Sequence, residues 1–288
     1  MTDAPTAPLC LPAAPLGRAP ASRLPAGACD CHFHVFPRGL PFSPARGYTP
    51  PVQPLAEWHR MAAGLGVARG VLVQPSVYGF DNRAVLDALA TDPGALRGIV
   101  VIPADTPPGE IERLHRLGVR GVRVNLLNPA GLSLADVPAI ARLVGPFGWH
   151  LQFQVAPRHL PEVAAAVATA GIPAVIDHLA FLRPGAASIE ADIAALQRLL
   201  DAGTHVKLSA PYRLAGPPDY PGVGTLAERL GRSHPERLLW GSDWPHTELY
   251  DAVPDDADLV DATLGWMPGA ALRERVFVDN PLAVYWAD

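Results

Sequence analysis

Two short strings near opposite ends of a 288-residue chain, DCHFH at 30–34 and GSDWPH at 241–246, hold histidines and aspartates of the types that can move protons and polarise a carbonyl. His32 and His34 are two residues apart, so on an extended strand, where side chains alternate, both imidazoles face one way, and the same alternation predicts Asp30 beside them. His178 and Asp243 stand near the ends of later apolar segments. Three imidazoles and a carboxylate at converging strand ends can polarise a carbonyl while the carboxylate takes a proton from water. An isolated HxH also serves as the polar end of a strand, and an Asp after a Gly-Ser turn as a helix N-cap. The recurrence of such groups at several strand ends is what points to a site.

Further polar residues fall at the same level: Gln74, Ser76 and Tyr78 after the second strand, Arg123 and Asn125 on the fourth, Gln152 and Gln154 on the fifth, and Lys207, Tyr212 and Arg213 around the seventh. Arg123 shares a strand face with Asn125, whereas Arg120 belongs to the preceding turn. Two arginines with Tyr48 and Tyr78 in nearby loops make a grip for a carboxylate-bearing small molecule. His246, three residues past Asp243, is expected to line the mouth. The other histidines lie on helices, turns or strand starts.

These residues need a scaffold that brings distant strand ends together. Apolar runs predict strands near 28–36, 69–74, 97–103, 119–126, 150–155, 173–179, 204–210 and 237–243, alternating with helical patterns at 55–66, 81–92, 107–118, 133–145, 160–171, 188–203, 223–231 and 256–265. Asp81 and Ser133 suit N-caps, Pro108 a first turn, and Gly66, Gly118 and Gly203 C-terminal stops. Eight βα units predict a (β/α)8 TIM barrel, one domain over 27–288. An open doubly wound sheet is the alternative, disfavoured because the polar residues recur at ends of strands far apart in sequence. Residues 1–26, rich in Ala and Pro, read as a loosely docked arm without the basic and apolar regions of a secretion signal.

Hydrophobic residues make up 49% of the chain and the net charge is -5, which suits a globular protein with an ample core. Lys207 is the only lysine and the arginines are scattered, so no nucleic-acid partner is expected. No apolar run approaches the roughly 20 residues needed to span a bilayer. Three cysteines without metal-ligand spacing suit a reducing cytoplasm, with Cys29 and Cys31 packing between strand and helices. Homo-oligomerisation stays open.

Through GACDCHFHVF, YTPP, VLVQPSVYGFDNRAVLDAL, GVRGVRVNL, VIDHL, VKLSAPYRL, LLWGSDWPH and VDNPLAVY, the chain resembles the amidohydrolase superfamily, in its branch of 2-pyrone-4,6-dicarboxylate lactonase and related sugar-acid lactonases. The resemblance implies that His32, His34 and His178 polarise a lactone carbonyl. It also implies that Asp243 activates water and returns the proton to the leaving oxygen, and that Tyr48, Ser76, Arg123 and Arg213 hold substrate carboxylates. Two arginines of the dicarboxylate lactonase are missing: Pro129 or its neighbours and Phe181 stand in their places, with Arg183 two residues beyond. Fewer cations argue against a dicarboxylate.

Many superfamily members bind zinc or a related ion through HxH, a strand-five His and the strand-eight Asp. Here Gln152 or Gln154 takes the strand-five place, and Arg123 and Asn125 the place of a bridging ligand, which disfavours a two-metal centre. No cofactor is therefore favoured, while His32, His34 and Asp243 could supply the three ligands of a single zinc. A mononuclear zinc hydrolase, a decarboxylase or a lactone isomerase on the same barrel is the rival reading, and a non-catalytic carboxylate-binding barrel the outside one.

Overall fold

The computed structural model describes residues 7–128 and 131–287. Eight strands, β1 (Cys29–Phe33), β2 (Arg69–Val73), β3 (Leu96–Val100), β4 (Val119–Asn125), β5 (His150–Gln154), β6 (Ala174–Ile176), β7 (His205–Ser209) and β8 (Leu238–Gly241), pair in chain order, each parallel to the next. The last meets the first: His34 N–H donates to Trp244 O at 2.8 Å and Asp243 N–H to His32 O at 2.8 Å. That closure makes a barrel and excludes the open sheet. It requires glycine at 241, where a Cβ would stand 2.8 Å from the His32 nitrogen.

The outer ring is α1 (Leu55–Leu65), α2 (Arg83–Thr91), α3 (Pro108–Arg116), α4 (Val137–Val144), α5 (Leu160–Ala170), α6 (Ile189–Asp201), α7 (Val223–Ser233) and α8 (Asp256–Trp266), followed by α9 (Ala270–Glu274) and α10 (Asn280–Tyr285). Gly66, at φ 82°, ends α1 as expected. Asp81 sits one place before the N-cap of α2, yet its carboxylate accepts from the first main-chain N–H of that helix, that of Arg83, at 3.2 Å. Asn82 holds the N-cap place and exchanges hydrogen bonds of 2.7 and 2.9 Å with the Val101 main chain, while Asp81 pairs with Arg83 at 2.5 Å. Ser133 caps a 3-10 turn (Leu134–Asp136) that leads into α4.

One irregularity decides the chemistry. Asp30 pairs with Gly70 and Phe33 with Leu72, so three steps of β1 span two of β2, a β-bulge. The extra residue breaks the alternation expected for DCHFH. Cys29 and Cys31 face the barrel lumen, packed with Val71, Val73, Ile99, Val175 and Leu239 of the other strands and Tyr285 of α10 rather than in the layer between β1 and the outer helices. Asp30 turns outward to Trp58 of α1, whose indole N–H donates to it at 3.0 Å while stacking on Phe33.

The described part of the arm is a docked strap rather than a loose segment. Cys10 N–H donates to Thr49 O at 2.9 Å, Leu11 N–H to Leu249 O at 3.0 Å, and Arg18 pairs with Asp258 and Asp261 at 2.6 Å each. Main-chain hydrogen bonds dock it, which no side-chain periodicity announces. Among the described residues no helix is long and apolar enough to cross a membrane.

Candidate active site

Asp243 follows β8 at φ 64°, in the left-handed region, and α8 begins only at Asp256, so it is not a helix cap. Its two oxygens have different surroundings. Oδ2 accepts from the Tyr212 hydroxyl at 2.6 Å and from Arg213 Nε at 2.9 Å. Oδ1 stands 3.7 Å from His32 Nε2, 3.7 Å from His178 Nε2 and 3.9 Å from His34 Nε2. Those gaps exceed direct hydrogen bonds and suit a bridging water or substrate oxygen. Burial, the largest single influence, pushes the Asp243 carboxyl up, but the Arg213 guanidinium together with His178, His32 and His34 outweighs it and holds the group well below the usual carboxylate range.

Asp30 reaches this site indirectly. Its carboxylate accepts from Ser242 N–H at 2.8 Å, Ser242 Oγ–H at 2.6 Å and His32 N–H at 3.1 Å. It therefore staples DCHFH to GSDWPH and sets the approach of His32 to Asp243. Burial, only partly offset by these donors, raises its pKa to about 6.

The imidazoles are buried and neutral at neutral pH: burial lowers His34 to about 3, with Arg123 adding, lowers His178 to about 4, and holds His32 well below its ordinary value. His34 Nδ1–H donates to Val73 O at 2.7 Å, so its Nε2 carries a lone pair into the site. His178 Nδ1 meets Ser209 Oγ at 2.8 Å. His32 Nδ1 lies 3.1 Å from Asp177 Oδ1 and 3.2 Å from Lys207 Nζ, while its Nε2 faces His34 Nε2 at 3.3 Å.

Asp177 was not foreseen. It accepts from Gln152 Nε2 at 3.1 Å, pairs with Lys207 at 3.1 Å and stands 3.8 Å from Arg123. Burial opposes its ionisation, yet Lys207 and His32 hold it well below the carboxylate range, whereas burial lowers Lys207. Thus Lys207 and Gln152 serve the floor of the site. The signal was the Asp beside His178 in VIDHL together with the chain's lone lysine.

The cavity over Asp243 is lined by His34, His178 and six more expected residues, Tyr48, Ser76, Arg123, Asn125, Gln154 and Arg213; it adds Asn128, Thr247 and Glu248, which were missed, and leaves about 10 Å³ free. That is room for about one water. Arg123 donates to Gln74 O at 2.9 Å and to Gln154 Oε1, and its Nε has no protein partner among the described residues. Arg213 grips Asp243 through Nε and donates from Nη2 to Thr247 O at 2.8 Å, so it is largely engaged within the protein and only Nη1, 3.9 Å from Glu248, is left to meet a substrate.

Three expected lining residues sit elsewhere. Gln74 is fully buried, donates to Gly79 O and Asp81 O at 3.2 and 2.8 Å, and borders a smaller neighbouring pocket with Ser76, Arg123, Asn125 and Asn128. Tyr78 packs between Phe36 and Phe42. His246 is fully buried, 3.1 Å from the Tyr212 hydroxyl and 3.2 Å from Asp256, so it backs Tyr212 instead of lining the mouth. Phe181 meets His178 edge-on at 5.5 Å, and Arg183 is exposed and supplies no replacement cation. Pro129 lies outside the described residues.

His32, His34 and Asp243 bring one ligand atom each within 4.8 Å of one another. Their fit to a divalent ion depends on the His32 tautomer. With Nδ1–H given to Asp177, two Nε2 lone pairs face each other and suit a cation. With Nδ1 accepting from Lys207, Nε2–H donates to His34 and the pair is satisfied without one. Arg213 on Asp243 and Arg123 near His34 add positive charge, and Gln154 on β5 brings a neutral amide whose oxygen is already taken by Arg123.

Residues 29–286 match the amidohydrolase family. The chain is 35% identical to a 2-pyrone-4,6-dicarboxylate hydrolase of Comamonas testosteroni, over 93% of each protein. It is 34% identical to a 4-sulfomuconolactone hydrolase of Rhizobium radiobacter, over 91% of each. An apo crystal structure from Agrobacterium tumefaciens, 28% identical, superposes with a TM-score of 0.84 over 94% of this chain and 99% of that one.

Proposed function

The chain belongs to the amidohydrolase family, and on that premise we propose that it opens the ring of a carboxylate-bearing lactone by attack of water. The observation that carries this reading is the division of labour on Asp243. Tyr212 and Arg213 hold Oδ2, while Oδ1 lies 3.7–3.9 Å from the Nε2 atoms of three neutral imidazoles, close enough for one oxygen seated beside them to contact both Oδ1 and an imidazole.

A water on Oδ1 gives its proton to Asp243 as its oxygen bonds to the lactone carbonyl carbon. When the Ser209 hydroxyl donates to His178 Nδ1, His178 Nε2–H points into the site and stabilises the oxyanion, while His32, whose Nε2–H goes to His34 in its Lys207-bonded tautomer, fixes that neighbouring ring. The ring C–O bond breaks, and Asp243 returns the proton to the leaving oxygen. Arg123 Nε and Arg213 anchor the substrate carboxylate. As that carboxylate draws on Arg213, Asp243 loses part of its counter-charge and becomes a stronger base, so the base is activated by substrate carrying the right group.

His32, His34 and Asp243 are the residues that would hold a single divalent ion, which when bound would polarise the carbonyl as a Lewis acid. We favour the route without it, because Arg213 already neutralises the one carboxylate of that set and β5 offers Gln154. The open oxygen of Asp243 speaks against a binding protein without turnover. Three free, buried cysteines fit a reducing compartment such as the cytoplasm.

A pH-indicator assay over a panel of carboxylated lactones tests the reading. Hydrolysis releases one proton per turnover near neutral pH, whereas lactone isomerisation releases none. Asp243→Asn is expected to fold normally and lose turnover by about three orders of magnitude or more. Full activity in that variant would remove Asp243 as the base.

A further inference from the structure

The charges lining the cavity over Asp243 balance: Arg123 and Arg213 against Asp243 and Glu248. The two guanidiniums are already matched by two carboxylates, so one substrate carboxylate tips the site negative and a second would enter uncompensated.

Glu248 is the unexpected member of this set. It is set at φ 62°, and its N–H donates to Cys10 Sγ at 3.3 Å, with the neighbouring Leu249 O held by Leu11 of the arm. Its carboxylate contacts are long: 3.4 Å to Asn128 Nδ2 from both oxygens and 3.9 Å to Arg213 Nη1. A carboxylate with about four acceptor sites so loosely engaged has capacity for further donors. The side chain is 31% exposed and lines both the catalytic cavity and an adjoining cleft of about 1100 Å³ that also reaches Tyr212. Around it the cavity is polar, with Ser76, Asn125, Asn128, Gln154 and Thr247 and no aliphatic side chain.

We infer that Glu248 is a specificity-determining residue: it accepts hydrogen bonds from substrate hydroxyl groups and repels a second carboxylate, so the enzyme takes hydroxylated lactones with one carboxylate in preference to dicarboxylates. The inference rests on the lactone-opening reading for its reaction but on Glu248 itself for its selectivity. The arm acts here by fixing the loop from which Glu248 projects.

Two measurements separate these. Calorimetric affinities for two open-chain probes, D-gluconate (one carboxylate, five hydroxyls) and adipate (two carboxylates, no hydroxyl), are taken on the wild type, Glu248→Gln and Glu248→Arg. Turnover of D-glucaro-1,4-lactone and of 2-pyrone-4,6-dicarboxylate is followed in parallel. The wild type is expected to favour gluconate by about ten-fold or more, Glu248→Gln to shrink that ratio, and Glu248→Arg to invert it, with any change in turnover falling on KM rather than kcat. A ratio unchanged across the three proteins, or a wild-type preference for adipate, overturns the assignment. If no lactone is opened while the affinity ratios move as stated, the lactonase reading fails and the selectivity of Glu248 stands.

Discussion

Replacing Arg213 by Gln tests the idea that this guanidinium sets the basicity of Asp243. Arg213 Nε lies 2.9 Å from Asp243 Oδ2, and the two side chains are 13% and 2% exposed, so solvent screens the pair little. Unit charges about 4 Å apart interact by about 4 kcal/mol at an effective dielectric constant of about 20, or about 3 pKa units. Tyr212 and the new amide keep part of that stabilisation, so we expect a rise of about 2 units. Removing a cation disfavours the carboxylate, and burial then pushes its pKa further up. The acid limb of kcat/KM, which reports the free enzyme, should therefore move to higher pH in the variant. Above both limbs the residual loss measures substrate anchoring alone. Arg213→Lys should restore the limb but not the anchoring, since ammonium lacks the planar fork. Enzyme kept at neutral pH and jumped into acid for seconds is read before it unfolds. A limb that stays put within about 0.3 units, or moves down, refutes the reasoning.

Lys207→Met should leave Asp177 buried and uncompensated and destabilise the fold by about 3–5 kcal/mol in urea titrations, with Asp177→Leu added on top recovering much of it. Thermal unfolding should show stability flat above about pH 6.5 and falling by several kcal/mol per pH unit toward pH 4. The sign follows from buried histidines, His34 and His150 at about 3 and His178 and His205 at about 4, which the unfolded chain protonates first; Asp30, raised to about 6, opposes this in part by taking up a proton in the folded state. Chelation should leave turnover within about two-fold, and elemental analysis should find no stoichiometric metal; one zinc per chain whose removal abolishes turnover would establish the metal-bound route instead.

The eight strands and the helices between them were legible because buried parallel strands read as short apolar runs and each helix carries one apolar stripe. His32, His34, His178 and Asp243 were legible because few side chains perform this chemistry and all four stand at strand ends. Asp177 was hidden: beside His178 it resembles a strand flank, and its importance arises from Lys207 one strand away. Glu248 was hidden for the same reason, since loop carboxylates are common and only folding sets this one in the cavity.

Residue types and their order thus determined the barrel, the candidate quartet of His32, His34, His178 and Asp243, and the amidohydrolase affiliation. Tertiary structure alone decided which way those residues face and what they touch. A bulge of one residue sent Asp30 outward and Cys31 inward, because side-chain direction flips with every residue of an extended strand. Pairing of β7 with β8 put Arg213, which follows the first, on Asp243, which follows the second, rather than free at the mouth, because charge pairing is settled by distances in space and not by positions in the chain.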